Sequence, residues 1–232
     1  MECKFFNGYC QKWGKQKNGM QHFYCKVSCK CQQKEYKSIA CKAGVLTMIP
    51  KLVCNSVGIR GIARILGIAV NTAVKSIKEI AESIKKPPIP LNRQSFEIDE
   101  VRTFIGRKEN QYWVAYVLCS RTKDVIDFIV GKRSKRTLRM VVNTALQSGV
   151  SIIKTDKLNI YQALIPPARH ISNAYNINHI ERNNLNLRTH LKRLSRRTIC
   201  FTRSIIMLTA CLKIYFWHRA EKAVNKSVNG VR

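Results

Sequence analysis

Acidic residues are scarce in this chain: Asp and Glu number 13 among 232 residues, against 42 Lys and Arg, for a formal net charge of +29. A chain so poor in acids, with a pI near 10.1, is drawn to polyanions over long range. Charge alone does not separate an enzyme from a ribosomal-type or architectural basic protein. Long apolar runs are missing as well. The most apolar stretch, Ile205 to Trp217, is interrupted by Lys213 and falls short of the ~18 uninterrupted residues of a membrane span, so it reads as a buried helix. The opening residues, Met1-Glu2-Cys3-Lys4, lack a basic stretch followed by an apolar core. No export signal is visible, and the expectation is a cytoplasmic protein without a membrane partner. Internal repeats and low-complexity segments do not stand out.

Cysteine is plentiful, at 10 residues, but no Cys-x-x-Cys pair occurs. In a reducing compartment such a count argues against a disulfide framework and for metal binding or burial. Most of these residues lie between Cys3 and Cys41, which favours metal at the N-terminus only. Cys3, Cys10, Cys25 and Cys29 bracket Lys17-Asn18-Gly19, and Asn-Gly is a strong hairpin-turn signal. Two cysteine-bearing corners around a hairpin describe a zinc-ribbon-like module over residues 1–43, where Zn²⁺ would hold together a unit too small to bury a core. Phe6 and Ser28 occupy the positions that would complete two regular pairs. Either the displaced Cys10 and Cys29, or Cys31, complete the ligand set, or the zinc site has been lost or weakened.

From Val45 to Ile84 the apolar residues recur at helical spacing, with Gly67 between the groups Ile59–Leu66 and Val70–Ile80. That pattern predicts a helix-turn-helix within residues 44–86, whose second helix would set Asn71, Thr72 and Lys75 against bases or phosphates in a DNA major groove. A plain three-helix bundle fits the same periodicity. Lys85-Lys86-Pro87-Pro88-Ile89-Pro90 ends the helical pattern, because proline lacks the amide proton a helix interior needs. Residues 87–94 are therefore read as a linker.

Beyond it the pattern turns to strands: Phe96 to Gly106, Gln111 to Cys119 and Val125 to Val130, joined by short polar turns. A basic helical segment, Ser134 to Gln147, and a fourth strand ending on Asp156 follow. This order is that expected of an α/β mixed sheet like that of ribonuclease H. If the first and fourth strands pair, Asp99 and Asp156 meet. Glu181 is the only acid between Asp156 and Glu221, inside the densest basic run. Ile180, Leu187, Leu191 and Leu194 predict one apolar stripe of a helix, with Glu181, Arg188, Lys192 and Arg196 on a neighbouring face. On one reading Glu181 holds metal and the cations behind it hold the phosphates of a bound strand; on the other this is a solvated charged face. Arg182, Arg193 and Arg197 suit either. Glu97 and Glu100 flank Asp99 and either orient it or face solvent, the second being the expectation, and Cys119, Cys200 and Cys211 are expected to be buried.

The words Ile98-Asp99-Glu100, Phe104-Ile105-Gly106, Tyr112-Trp113-Val114-Ala115-Tyr116, Thr155-Asp156 with Tyr161 downstream, and Ile180-Glu181-Arg182-Asn183-Asn184-Leu185-Asn186-Leu187-Arg188 resemble the insertion sequence one family of transposases. That family is similar to the wider Asp-Asp-Glu group of transposases and retroviral integrases. The resemblance implies a ribonuclease H-like catalytic domain over 95–220 with a tail at 221–232. It implies catalytic, metal-holding Asp99, Asp156 and Glu181, with Mg²⁺ or Mn²⁺ as cofactor. Arg102 stands where the family usually has Trp after its first Asp, and Lys157 where a further acid is common. The implied activity is a DNA transposase that cuts at the terminal inverted repeats of a mobile element and joins the ends to target DNA, acting on the nucleoid as a homo-oligomer. A non-catalytic DNA-binding regulator and a nuclease that cuts without joining stay open as rivals.

Overall fold

The computed structural model describes residues 1–17, 19–34, 36, 38–41, 44–88, 94–173, 177–195, 198 and 200–229. They form two units, Met1–Val45 and Leu46–Arg232.

The first unit is a three-stranded antiparallel sheet of β1 (Gln11–Lys15), β2 (Gln21–Cys25) and β3 (Lys30–Gln32), in the order β1-β2-β3. The β1–β2 connection closes through Gln16, whose backbone N–H reaches the Met20 carbonyl at 2.9 Å, at the site of the Lys17-Asn18-Gly19 turn signal. Asn18 itself lies outside the described residues. Every residue of β1 is exposed, and among the described residues the buried side chains of the unit are Cys10, Cys25, Gln32 and Gln33. So small a unit buries thiols and amides rather than an apolar core.

The second unit begins with α1 (Ile49–Cys54), α2 (Ile59–Leu66) and α3 (Val70–Ser83). Gly67 ends α2 in the left-handed region at φ 63°, and the Ile68 N–H returns to the Ala63 carbonyl at 3.0 Å, so the chain turns sharply where the sequence placed its break. Ile49, Val53, Ile62, Ala73, Ile77 and Ile84 bury against Met207, Cys211, Ile214 and Trp217 of the long α7 (Ile205–Asn229). The expected buried helix is α7, and among the described residues no helix is long and apolar enough to cross a membrane.

A five-stranded mixed sheet carries the rest. Its strands are β4 (Ser95–Phe104), β5 (Gln111–Cys119), β6 (Val125–Gly131), β7 (Ile152–Thr155) and β8 (His170–Ser172), in the order β6-β5-β4-β7-β8. The first three form an antiparallel meander, while β7 joins β4 and β8 in parallel. Period-two alternation splits β4 and β5 between two cores. Phe96, Ile98, Ala115 and Val117 face α4 (Lys135–Gln147) and the short α5 (Asn159–Gln162); Val101, Val114, Tyr116 and Leu118 face α6 (Asn178–His190) and α7. With both faces of the central strand covered, an acid on β4 is shielded from water on either side, and Asp99 is half-buried.

That coverage corrects the solvent-facing expectation for Glu97 and Glu100: Glu97 is fully buried and the Glu100 side chain is 1% exposed. The single long cationic row is also corrected. Helix α6 ends at His190, and Lys192–Leu194 form a separate 3₁₀ turn, so Lys192 does not continue the Glu181 face. Leu191 leaves the helical region at φ −117°, ψ 87°, because Leu191 and Leu194 fold back into the core that already holds Ile180 and Leu187.

Candidate active site

The parallel pairing of Ile98 with Thr155 puts the next residues, Asp99 in the middle of β4 and Asp156 just past the end of β7, beside one another. Asp99, Glu100 and Asp156 each offer a carboxylate oxygen, and the three oxygens lie within 4.8 Å of one another. Crowding has a cost that shows in Asp99. Burial, reinforced by the neighbouring negative charges of Glu100 and Asp156, pushes its carboxyl up to about 6. Two hydrogen bonds work against that rise: the Glu100 backbone N–H reaches Oδ1 at 2.7 Å, and the Asn184 amide reaches Oδ2 at 2.6 Å. Burial likewise raises Glu100.

The donors around these acids come from elements the fold brings in from far along the chain. The Tyr116 hydroxyl on β5 donates to Asn184 Oδ1 at 2.6 Å, fixing which end of that amide faces Asp99. Glu97 accepts the Ile180 backbone N–H at 2.9 Å and the Ser120 hydroxyl at 3.0 Å, so a strand carboxylate satisfies an otherwise unpaired amide in the first turn of α6. Glu181 is exposed on that same turn, three residues ahead of Asn184 and hence on the same side of the helix. Among the described residues it does not belong to the three-oxygen group. Glu100, on the opposite face of β4, accepts the Tyr161 hydroxyl at 2.7 Å and the Arg133 guanidinium at 3.1 Å. Asp156 Oδ1 accepts the Leu158 N–H at 3.1 Å, and its Oδ2 lies 4.0 Å from Arg133.

Among the predicted DNA-facing residues, Asn71 and Lys75 are exposed, Thr72 is half-buried, and Lys75 pairs with Glu79 at 3.7 Å. Arg182 and Lys192 are exposed and Arg193 half-buried. Arg188 donates to the Leu194 carbonyl at 3.2 Å and helps line a cavity of about 460 Å³ with Arg102, Lys108 and Phe104. Arg196 and Arg197 lie outside the described residues. Cys119 and Cys211 are fully buried as expected, while Cys200 is half-buried.

In the first unit Cys3, Cys10 and Cys25 bring their sulfurs within 4.8 Å of one another. Cys29 stands apart, exposed, with its thiol on the Lys26 carbonyl. Ser28 takes the remaining corner, its hydroxyl 3.4 Å from Cys3 Sγ, and the buried Gln32 amide donates to Cys3 at 2.9 Å. The Ser28 contact, ahead of those from Phe5 and Gln32, holds the Cys3 thiol down at about 6, although burial opposes it.

The acids Asp99 and Asp156 were legible from strand order. Tyr161 and Asn184 stood only among the words of the resemblance and Arg133 had no signal, because each works by reaching a carboxylate 23 or more residues away in sequence. Residues 94–219 match the family model described as IS1 transposase. The insertion element iso-IS1n protein InsB of Shigella dysenteriae is 35% identical over 109 residues, 47% of this chain and 83% of that protein. The IS1 protein InsB of Shigella sonnei is 33% identical over the same length and shares. Among solved structures, the cryo-EM structure of a simian T-cell lymphotropic virus intasome in complex with PP2A regulatory subunit B56 gamma aligns with 74% of this chain and 67% of that chain, at 13% identity and a TM-score of 0.36, a likeness too loose to bear on the fold.

Proposed function

Because this chain belongs to the IS1 transposase family, we propose that it cuts DNA at the ends of a mobile element and joins the freed 3′ hydroxyls to target DNA. The observation that carries this reading is the convergence of Asp99, midway along β4, with Asp156, just past the end of the parallel neighbour β7. Their donor set fits a hard divalent cation: the carboxylate oxygens are crowded, one carboxyl is held high by burial and by its neighbours' charge, and a cation would relieve both. Asp99, Asp156 and Glu181 are the residues proposed to hold Mg²⁺ or Mn²⁺. When bound, the metal supplies Lewis-acid activation of the attacking oxygen and charge for the leaving oxygen.

The chain's own residues do the positioning. Asn184 fixes Asp99, Tyr116 fixes Asn184, and Glu97 ties the first turn of α6, with Glu181, to the same strand. Water attacks a phosphodiester at the element end and liberates a 3′ hydroxyl, which then attacks a phosphodiester of the target. No covalent protein intermediate is needed. We place this chemistry on a ribonuclease H-like domain over 95–220, with the Pro-rich linker at 87–94 and a tail at 221–232.

Asn71, Thr72 and Lys75 of α3 are proposed to read the terminal inverted repeats, and Arg182, Arg188, Lys192, Arg193, Arg196 and Arg197 to hold phosphates. The net charge of +29 and the cavity lined by Arg102, Lys108 and Arg188 support a DNA partner. Cys3, Cys10 and Cys25 fit Zn²⁺ as thiolate donors, with Ser28 or a water at the fourth position rather than Cys29. Bringing two ends together calls for a homo-oligomer on the nucleoid. The test is incubation of the purified chain with DNA bearing its flanking inverted repeats. Magnesium-dependent cleavage followed by strand joining is expected; binding without cleavage would identify a regulator, and cleavage without joining a nuclease.

A further inference from the structure

Arg133 sits on the short connection between β6 and α4, and that connection is fixed from both sides. Ser134 caps α4, its side chain accepting the Thr137 N–H at 3.3 Å, and the Ser134 N–H closes a turn onto the Lys132 carbonyl at 2.9 Å. Gly131 packs so closely on Thr137 that a Cβ there would meet Thr137 Cγ2 at 2.7 Å. The neighbouring Lys132 points elsewhere, donating to Asn110 and to the Gln111 carbonyl and lying 4.2 Å above the Tyr112 ring. Of the two cations on this connection, only Arg133 reaches the acids.

Its use of that position is incomplete. A guanidinium carries five N–H donors in a rigid fork. Among the described residues the Arg133 side chain makes one hydrogen bond, from NH2 to Glu100 Oε2 at 3.1 Å, and the same nitrogen stands 4.0 Å from Asp156 Oδ2. Glu100 is 1% exposed while Arg133 is 37% exposed, so the carboxylate is the buried anchor and the cation the accessible end. The second Glu100 oxygen is taken by Tyr161, which is itself buried, and this leaves Glu100 a holder rather than a spare acid. A cation pinned at the rim of an acid group, with donors left over, is suited to an incoming anion.

We infer that Arg133 is a catalytic residue that grips a non-bridging oxygen of the scissile phosphate and offsets the charge that builds there as the phosphodiester is attacked. Glu100 and Tyr161 are positioning residues that hold the guanidinium beside Asp156. The inference rests on the proposed phosphodiester chemistry of this site, and it adds a residue outside the three acids.

The probe is element-end DNA carrying one methylphosphonate, in which a methyl group replaces a charged non-bridging oxygen, at the scissile position. Wild-type protein is expected to cut this DNA about 100-fold more slowly than ordinary DNA, and Arg133→Ala to cut ordinary DNA about 100-fold more slowly, the order lost with one preorganised charge contact. The two losses should not multiply: Arg133→Ala should cut both DNAs equally. A binding readout without turnover, in Ca²⁺, should show a wild-type preference for the ordinary end that Arg133→Ala lacks. Since Arg133→Ala strands the buried Glu100, the Arg133→Ala/Glu100→Gln double variant is measured beside it and should stay as slow as Arg133→Ala. Recovery of the wild-type rate in the double variant would mean that Arg133 merely neutralises Glu100, and multiplying losses would mean that it never touches the phosphate; either overturns the inference. Failure of wild-type protein to cut ordinary ends would instead overturn the proposed function itself.

Discussion

Asp156→Asn is expected to abolish cleavage of element ends while leaving their binding intact. The fold tolerates the change because Asn keeps a carbonyl oxygen for the Leu158 N–H that Asp156 now accepts, and β7 behind it stays paired on both sides. Binding should not weaken, since removing a negative charge from a chain of net charge +29 strengthens its attraction to phosphate. Cleavage should fall by about 10³-fold or more, because a neutral amide cannot hold a cation against Asp99 as a carboxylate does. Gel-shift affinity and end cleavage measured on one preparation separate the two effects. Retained cleavage would remove Asp156 from the site; loss of both activities would point to misfolding.

The second large effect is on stability and runs opposite to the usual behaviour of acids. Asp99 has its carboxyl raised from 3.8 to about 6, chiefly by burial, so the folded state holds that proton over a pH range where the unfolded chain has released it. This contribution is therefore present in full below the unfolded value and is lost as pH rises to about 6. The shift corresponds to about 3 kcal/mol. Glu100, also raised by burial, acts in the same direction. Urea unfolding in EDTA from pH 4 to 7 should show this falling component, isolated as the difference between the wild-type and Asp99→Asn pH profiles. Comparing slopes removes the pH-independent cost of facing the Asn184 amide with another amide. Mg²⁺ should restore stability above pH 6 by binding only the folded site. A wild-type profile parallel to that of Asp99→Asn would contradict the crowded-acid description.

How much of this was legible in the sequence depends on the range of the forces involved. The meander, the helix after it and the Gly67 turn follow from alternation and breaker residues, which are local signals, whereas the pairing that brings Asp99 to Asp156 was legible only through the likeness of the element order to ribonuclease H. Glu97 and Glu100 were misread because charged residues beside Asp99 read as a solvated face, whereas at these two positions β4 is covered on both sides. The end of α6 was missed because neither Gly nor Pro marks it; the burial of Leu191 and Leu194 bends the chain instead. Cys25 was legible as a corner of the N-terminal cluster, but the residue of that turn that reaches Cys3 is Ser28, not Cys29, a distinction that only the hairpin's path makes. The helices before the proline run share a core with α7, some 130 residues later, and no window of sequence reveals that.

What separates the observed acid group from the proposed catalytic set is one residue. Asp99, Glu100 and Asp156 stand together, yet both Glu100 oxygens are occupied by Tyr161 and Arg133, whereas Glu181 waits on the first turn of α6 beside Asn184. The decisive measurement is Mn²⁺ titration, followed by electron paramagnetic resonance, of the protein bound to an element end. Glu181→Gln should remove most of the Mn²⁺ affinity, whereas Glu100→Gln should lower it about 10-fold, the order lost with a supporting residue. Strong loss in Glu100→Gln with none in Glu181→Gln would contradict the assignment and make Glu100 the third metal-holding acid.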